Sequence, residues 1–130
     1  MIVLDASALV EQLLDTPKGL QLQQRCLGKT ETILSPHLVD LEVTQVLRRY
    51  CQQGLLSTIR ATQGIEDLMA FPLIRYAHES FLPRIWKLRK NLTAYDAAYV
   101  ALAELLDAPL VTCDTRISSA PGHSAIVEVF

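Results

Sequence analysis

The sequence predicts an α/β fold: a five-stranded sheet, parallel or mostly parallel, with helices on both faces. Three observations lead there. Short apolar runs alternate with longer segments of helical period almost to the end of the chain, the order that β-α-β crossovers produce. Two of the runs, MIVLD and PLVTCD, share one grammar, an apolar strand that ends on an aspartate. The chain's 130 residues, 50% hydrophobic and 20% charged, have the usual size of one globular domain and suffice to bury a core without disulfides or a structural metal.

The first strand covers IVLD at 2–5 and is followed by helices over SALVEQLLD at 7–15 and GLQLQQRCL at 19–27. A second strand, TILS at 32–35, leads into the long helix HLVDLEVTQVLRRYCQQ at 37–53, with Ser35 as N-cap, Pro36 in the first turn and Gly54 as the stop. The helix IRATQGIEDLMA at 59–70 precedes a short strand, PLIRY at 72–76. Two further helices follow, SFLPRIWKLRK at 80–90 with Pro83 in its first turn, and AYDAAYVALAELL at 94–106, capped by Thr93 and ended by Asp107-Ala108-Pro109. The strands PLVTCD at 109–114 and AIVEVF at 125–130 complete the sheet. Repeats, linkers and low-complexity segments are missing, so one domain over 1–130 is expected.

Cys26, Cys51 and Cys113 are odd in number, far apart and without a C-x-x-C pair, which fits neither a disulfide framework nor the usual zinc spacing. The N-terminus enters a strand at once instead of reading as a secretory leader. The most apolar window, AAYVALAELL, is broken by Glu104 and falls short of the roughly 20 residues of a membrane span. A soluble, cytoplasmic protein is expected. The net charge of −2 counts by itself against a nucleic-acid binder, but Arg84, Lys87, Arg89 and Lys90 crowd into RIWKLRK while several acids stand alone in apolar surroundings.

Four of those acids carry the functional argument. Asp5 and Asp114 end their strands, and in open α/β sheets ligands sit outside the carboxyl ends of strands where the strand order reverses. If the two strands are neighbours, these carboxylates converge. Each could equally be an Asx turn or an N-cap, and Ser7, Thr112 and Thr115 fit either role, as caps or as hydroxyls that orient carboxylates. On the helix over 36–50 the apolar stripe is Val39, Val43, Val46, Leu47 and Tyr50; Glu42 sits at one edge and Asp40 on the opposite rim, and the wheel alone does not choose between them. Asp96, three residues after Thr93, resembles the acid of a capping box, yet it opens a helix with almost no polar face and so points an acid into the structure.

Two carboxylates about 4 Å apart repel by about 4 kcal/mol at an effective dielectric of about 20, so four gather only if protons or cations join them. An all-oxygen cluster suits Mg²⁺ or Mn²⁺. His37, His78 and His123 lack ligand spacing, which argues against zinc.

The segments VLDASALV, SPHLVDLEVTQVLRR, LTAYDAAYVALAE and LVTCDTRISSAPGH, in this order and spacing, resemble the PIN-domain ribonucleases and, among them, the VapC toxins of toxin-antitoxin pairs. The resemblance selects Glu42 over Asp40 and implies that Asp5, Glu42, Asp96 and Asp114 hold one or two divalent ions, Mg²⁺ with Mn²⁺ as substitute. Ser7 and Thr112 match supporting positions, and Arg116 stands among them as a departure, where many PIN domains carry a further acid that bears on a second metal. It also implies a three-layer α/β/α fold, a homodimer, and a cognate antitoxin whose C-terminal segment covers the cleft. The implied reaction is hydrolysis of RNA to 5′-phosphate and 3′-hydroxyl ends by a metal-activated water.

Arg84, Lys87, Arg89 and Lys90 could then track the RNA backbone, with Trp86 or Tyr95 as a stacking face. The alternative is a solvated amphipathic helix with Trp86 and Leu88 packed inward. A phosphoacceptor receiver domain also puts aspartates at strand ends, but LDAS and VTCDT lack its paired acids and late lysine. A PIN-like module that binds RNA or protein without turnover keeps the same fold, and only the intact quartet speaks for catalysis.

Overall fold

Ile2, Val3 and Leu4 are wholly buried because the strand they form, β1 (Ile2–Leu4), runs through the middle of the sheet. In the computed structural model, which describes residues 1–27 and 30–130, the strand order is β3-β2-β1-β4-β5 and every pairing is parallel. The chain runs from β1 through α1 (Ala6–Leu13) and α2 (Pro17–Leu27) to β2 (Ile33–Pro36). It continues through α3 (Val39–Gln52) and α4 (Thr58–Ala70) to β3 (Leu73–Tyr76), then through α5 (Leu82–Lys87) and α6 (Ala94–Leu106) to β4 (Leu110–Thr112). Helix α7 (Thr115–Ser119) and β5 (Val127–Val129) close it.

Right-handed crossovers put the helices between β1 and β3 on one face and those between β3 and β5 on the other. The packing agrees: α1 lies against α2, α3 and α4, whereas α5 lies against α6. The result is the three-layer α/β/α fold. The order reverses between β1 and β4, which are hydrogen-bonded neighbours with Val3 opposite Leu110 and Leu4 opposite Val111. The condition for Asp5 and Asp114 to meet is therefore fulfilled.

Several boundaries fall where their chemistry puts them. Thr93 caps α6, Asp107 ends it in the left-handed conformation at φ 48°, Pro83 lies in the first turn of α5, and Gly54 follows α3 at φ 71°. Ser35-Pro36 is a correction. Pairing with β3, Ser35 opposite Arg75 and Pro36 opposite Tyr76, carries β2 through both residues, and the hydroxyl of the wholly buried Ser35 donates to the Leu4 carbonyl. His37 therefore lies in a turn, and α3 starts at Val39 after Leu38. The RIWKLRK helix also stops early, at Lys87, because the chain turns to bury Leu88 and Leu92; Trp86 remains exposed. Helix α7, five residues long, is too short for a periodicity to announce it.

Candidate active site

The Asp5 backbone N–H donates to the Val111 carbonyl at 3.2 Å, which fixes the residue where β1 and β4 end together. Its side chain does two things. Oδ1 caps α1 by accepting from the Ala8 N–H at 3.0 Å and also accepts from the Ser7 hydroxyl at 2.7 Å; Oδ2 accepts from the Thr112 hydroxyl at 2.5 Å. The turn residue and the candidate site residue are one and the same.

Those two hydroxyls tie the strand ends together. Thr112 Oγ1 accepts from the Asp114 N–H at 2.9 Å, Ser7 Oγ accepts from the Cys113 N–H at 2.9 Å, and the hydroxyls lie 3.3 Å from each other. Asp114 caps α7 through the Arg116 N–H at 2.9 Å. The Arg116 guanidinium folds back on the same carboxylate, with Nε 3.0 and 3.1 Å from its two oxygens and Nη2 at 2.6 Å.

Asp40 and Glu42 differ in their partners. Asp40 points to the outer rim, where Arg75 of β3 pairs with it at 2.7 Å. Glu42 is half-buried and accepts a hydrogen bond at 2.7 Å from the hydroxyl of Tyr99, a residue of α6 that is 1% exposed. Asp96, also half-buried, takes its place one turn earlier on α6, where its N–H donates to the Thr93 hydroxyl at 3.1 Å.

Burial pushes the carboxyls of Asp5, Glu42 and Asp96 above their ordinary values, and their neighbours add to it. Asp5 is raised further by the charge on Asp96, Glu42 by Asp96 and Asp5, and Asp96 by Asp114. The four acids thus share one field. Among the described residues none of Asp5, Glu42 and Asp96 has an ion-pair partner. Asp114 differs: Arg116 beside it holds its carboxyl below the usual range.

Chemically this donor set fits a divalent cation. It consists of carboxylate oxygens, three of them at positions where a negative charge is unfavourable until a cation arrives. As the side chains stand, no three metal-ligating residues among those described are close enough to share an ion, so the set is a cluster in charge and not yet a coordination sphere.

The basic run divides. Arg84 is occupied: Nε and Nη2 hold the Glu104 carboxylate at 2.7 and 2.9 Å, and Nη2 also donates to the Gly122 carbonyl at 3.0 Å. Glu104, which also accepts from the Ser124 N–H at 2.9 Å, is lowered to about 2 by this pairing. Arg84 therefore staples α5 to α6 and to the loop before β5, and its guanidinium is engaged within the chain. Lys87, Arg89 and Lys90 are exposed, and Arg89 lies 4.5 Å over the Trp86 ring. Leu82, Ile85, Ala94 and Tyr95 line a shallow apolar shelf from Trp86 to the start of α6, beside Asp96. A separate pocket, lined by Gln12, Cys26, Ile33 and Phe71, lies toward the opposite ends of the strands, away from the four candidate acids. Tyr99 is the residue that sequence reasoning missed. Its signal is a phenol in an otherwise apolar helix, three positions after Asp96.

An open parallel sheet with acids gathered where its order reverses defines the class, and the comparisons with known proteins agree. The chain matches the family described as PIN domain over residues 2–122. It is 40% identical to Ribonuclease VapC12 of Mycobacterium tuberculosis over 129 residues, 99% of this chain and 98% of the relative. With Ribonuclease VapC9 of the same organism the identity is 42% over 118 residues, 91% of this chain and 89% of the relative. The crystal structure of VapBC2 from Rickettsia felis bound to a promoter DNA fragment superposes with a TM-score of 0.71 at 18% identity, over 99% of this chain and 98% of that one, a likeness of fold. The chain belongs to the PIN-domain family and, within it, to the VapC ribonucleases.

Proposed function

We propose that the protein is the endoribonuclease toxin of a toxin-antitoxin pair and that Asp5, Glu42, Asp96 and Asp114 hold the divalent cation on which hydrolysis depends. The observation that supports this reading is the set of three half-buried or buried acids, none with an ion-pair partner among the described residues, whose charges act on one another at the switch point of the sheet. Isolated buried carboxylates are unfavourable unless something positive joins them, and a structural role gives no reason to collect them. The all-oxygen set favours Mg²⁺, with Mn²⁺ as substitute.

When bound, the cation lowers the pKa of a water and offsets charge on the phosphorane-like transition state. The chain's own residues prepare the rest. Thr112 and Ser7 donate to both Asp5 oxygens and hold the orientation of the carboxylate. Tyr99 does the same for Glu42. Lys87, Arg89 and Lys90 are exposed, as are Trp86 and Tyr95, and basic side chains with aromatic stacking faces fit the backbone and unpaired bases of RNA. The products are RNA ends with 5′-phosphate and 3′-hydroxyl.

The partner is a cognate antitoxin, as the VapBC pairing of the Rickettsia felis neighbour supports. No helix among the described residues is long and apolar enough to cross a membrane. The working form proposed, from the family resemblance, is a homodimer in the cytoplasm. The test is cleavage of total bacterial RNA by the antitoxin-free protein in Mn²⁺, in EDTA, and with Asp5→Asn. Fragments that need Mn²⁺ and vanish in the variant support the reading; identical traces in all three, with the variant folded, point to a PIN-like module that binds without turnover.

A further inference from the structure

Arg116 stands where many PIN domains carry an acid, and among the described residues it is the cation paired with a cleft carboxylate. Its guanidinium covers both oxygens of Asp114. Apart from that carboxylate its side chain has no hydrogen-bond partner among the described residues, and it is 83% exposed. One carboxylate holds it in place, and water surrounds the rest. A fork of N–H donors in the carboxylate plane uses the lone pairs that an arriving metal ion needs. Asp114 therefore presents its oxygens either to Arg116 or to a cation, and the clamp has to open for the second.

We propose that Arg116 is an internal stand-in for the cation, closed on Asp114 while the cleft holds no divalent ion and displaced when one binds. The inference rests on the metal reading above and adds to it a competitor built into the chain. Two features of the site give the exchange its direction. The exposed pair is weak because water and salt screen it, so a divalent ion with three further acids to draw on displaces it. The charge of Arg116 also reaches Asp96, so that its departure restores negative potential at two of the four acids at once. Residues 114 and 116 share one short turn, so the guanidinium stays at the mouth of the cleft after release, placed to meet an RNA phosphate.

The experiment measures Mn²⁺ binding to the purified chain by electron paramagnetic resonance of the free ion, a readout that needs no turnover. Wild type is compared with Arg116→Gln, Arg116→Lys and Asp5→Asn. Arg116→Gln is expected to bind Mn²⁺ about two- to fivefold more tightly, the scale of one exposed ion pair. Arg116→Lys keeps the charge but loses the fork, and it should fall between the two. Equal or weaker binding by Arg116→Gln overturns the proposal. So does a gain in Arg116→Gln with Arg116→Lys indistinguishable from wild type, because the effect is then that of a distant charge and not of a clamp. Failure of the metal reading itself looks different: Mn²⁺ binding is then undetectable in every protein, or is unchanged by Asp5→Asn, and the stand-in falls with it.

Discussion

Glu104 and Asp5 are both largely shielded acids close to the ends of their elements, yet their surroundings treat them in opposite ways. Around Glu104 every neighbour favours the charge: the Arg84 fork and the Ser124 N–H hold its carboxyl down to about 2. Arginine–carboxylate ion pairs also join Arg25 to Glu31 and Glu128 and Arg75 to Asp40. Around Asp5 the donors are neutral hydroxyls and a backbone N–H group, and the charge that reaches it is that of another acid, Asp96. The chain pairs arginines with acids elsewhere, and with Asp114, yet among the described residues gives none to Asp5, Glu42 or Asp96. Charge left uncompensated at one place is therefore a property of that site and not a shortage of cations.

The largest effect comes from breaking the uncompensated region. Asp5→Asn should reduce RNA cleavage by about 10²- to 10³-fold, the scale seen when one preorganised electrostatic group is removed. The same change removes a buried charge whose pKa is raised, so in EDTA the variant should melt a few degrees above wild type instead of below it. Mg²⁺ should raise the melting temperature of wild type alone, since binding to the folded state stabilises it. Loss of activity accompanied by a lower melting temperature in EDTA would mean that Asp5 is mainly the cap of α1.

The two regions also respond to pH with opposite sign. Asp5, Glu42 and Asp96 have raised folded values, so their contribution to stability is present below the ordinary carboxylate values of 3.8 and 4.5 and is lost as pH rises through the raised ones. Glu104 is depressed, so its contribution is complete above 4.5 and is lost as pH falls toward about 2. In EDTA the melting temperature should therefore pass through a maximum on the acid side of neutrality, and Mg²⁺ should move that maximum toward neutral pH. Thermal melts in EDTA and in Mg²⁺ across the range from neutrality to strong acid check both statements.

Tyr99→Phe is a gentler way into the same region. The ring stays buried and only the hydroxyl on Glu42 is lost, so folding should persist while Mn²⁺ affinity falls about tenfold, the lower end for the loss of a group that orients a metal ligand. A tenfold weakening of Mn²⁺ binding with an unchanged melting curve separates positioning from packing.

What the sequence makes legible here is whatever depends on near neighbours. The strand-then-aspartate grammar of β1 and β4, the Thr93 cap and the Gly54 stop are local chemistry, and each is found in place. What stayed open depends on distant residues. The helical wheel could not separate Asp40 from Glu42 because their partners, Arg75 and Tyr99, lie 35 and 57 residues further along the chain. Ser35-Pro36 reads locally as a helix start, but pairing with β3 draws it into the sheet. Arg84 looks like one of a basic run until Glu104, 20 residues on, claims it. Periodicity says which face of a helix is buried and leaves unsaid which side chain waits there.

The smallest expected effects come from that basic run, and they sharpen the comparison because Arg84 and its neighbours fall on opposite sides of it. Lys87 and Lys90 are exposed and form no ion pair among those described, whereas Arg84 is bound to Glu104 and Gly122. Replacing both lysines by alanine should leave stability unchanged and weaken binding of single-stranded RNA. The slope of log affinity against log salt should then fall by about 1.4, since each phosphate contact on a single strand contributes about 0.7. Arg84→Ala should do the reverse. It costs about 1–2 kcal/mol of stability, less than a fully buried pair because the arginine side chain is 36% exposed, and it leaves the salt slope where it was. Binding is best measured with the Asp5→Asn background, so that RNA survives the titration. If Arg84→Ala lowers the slope as much as the lysine pair does, the staple opens in the complex and all the basic residues belong to one RNA-tracking face; if the lysines change nothing, the RNA path runs on the other side of Asp96.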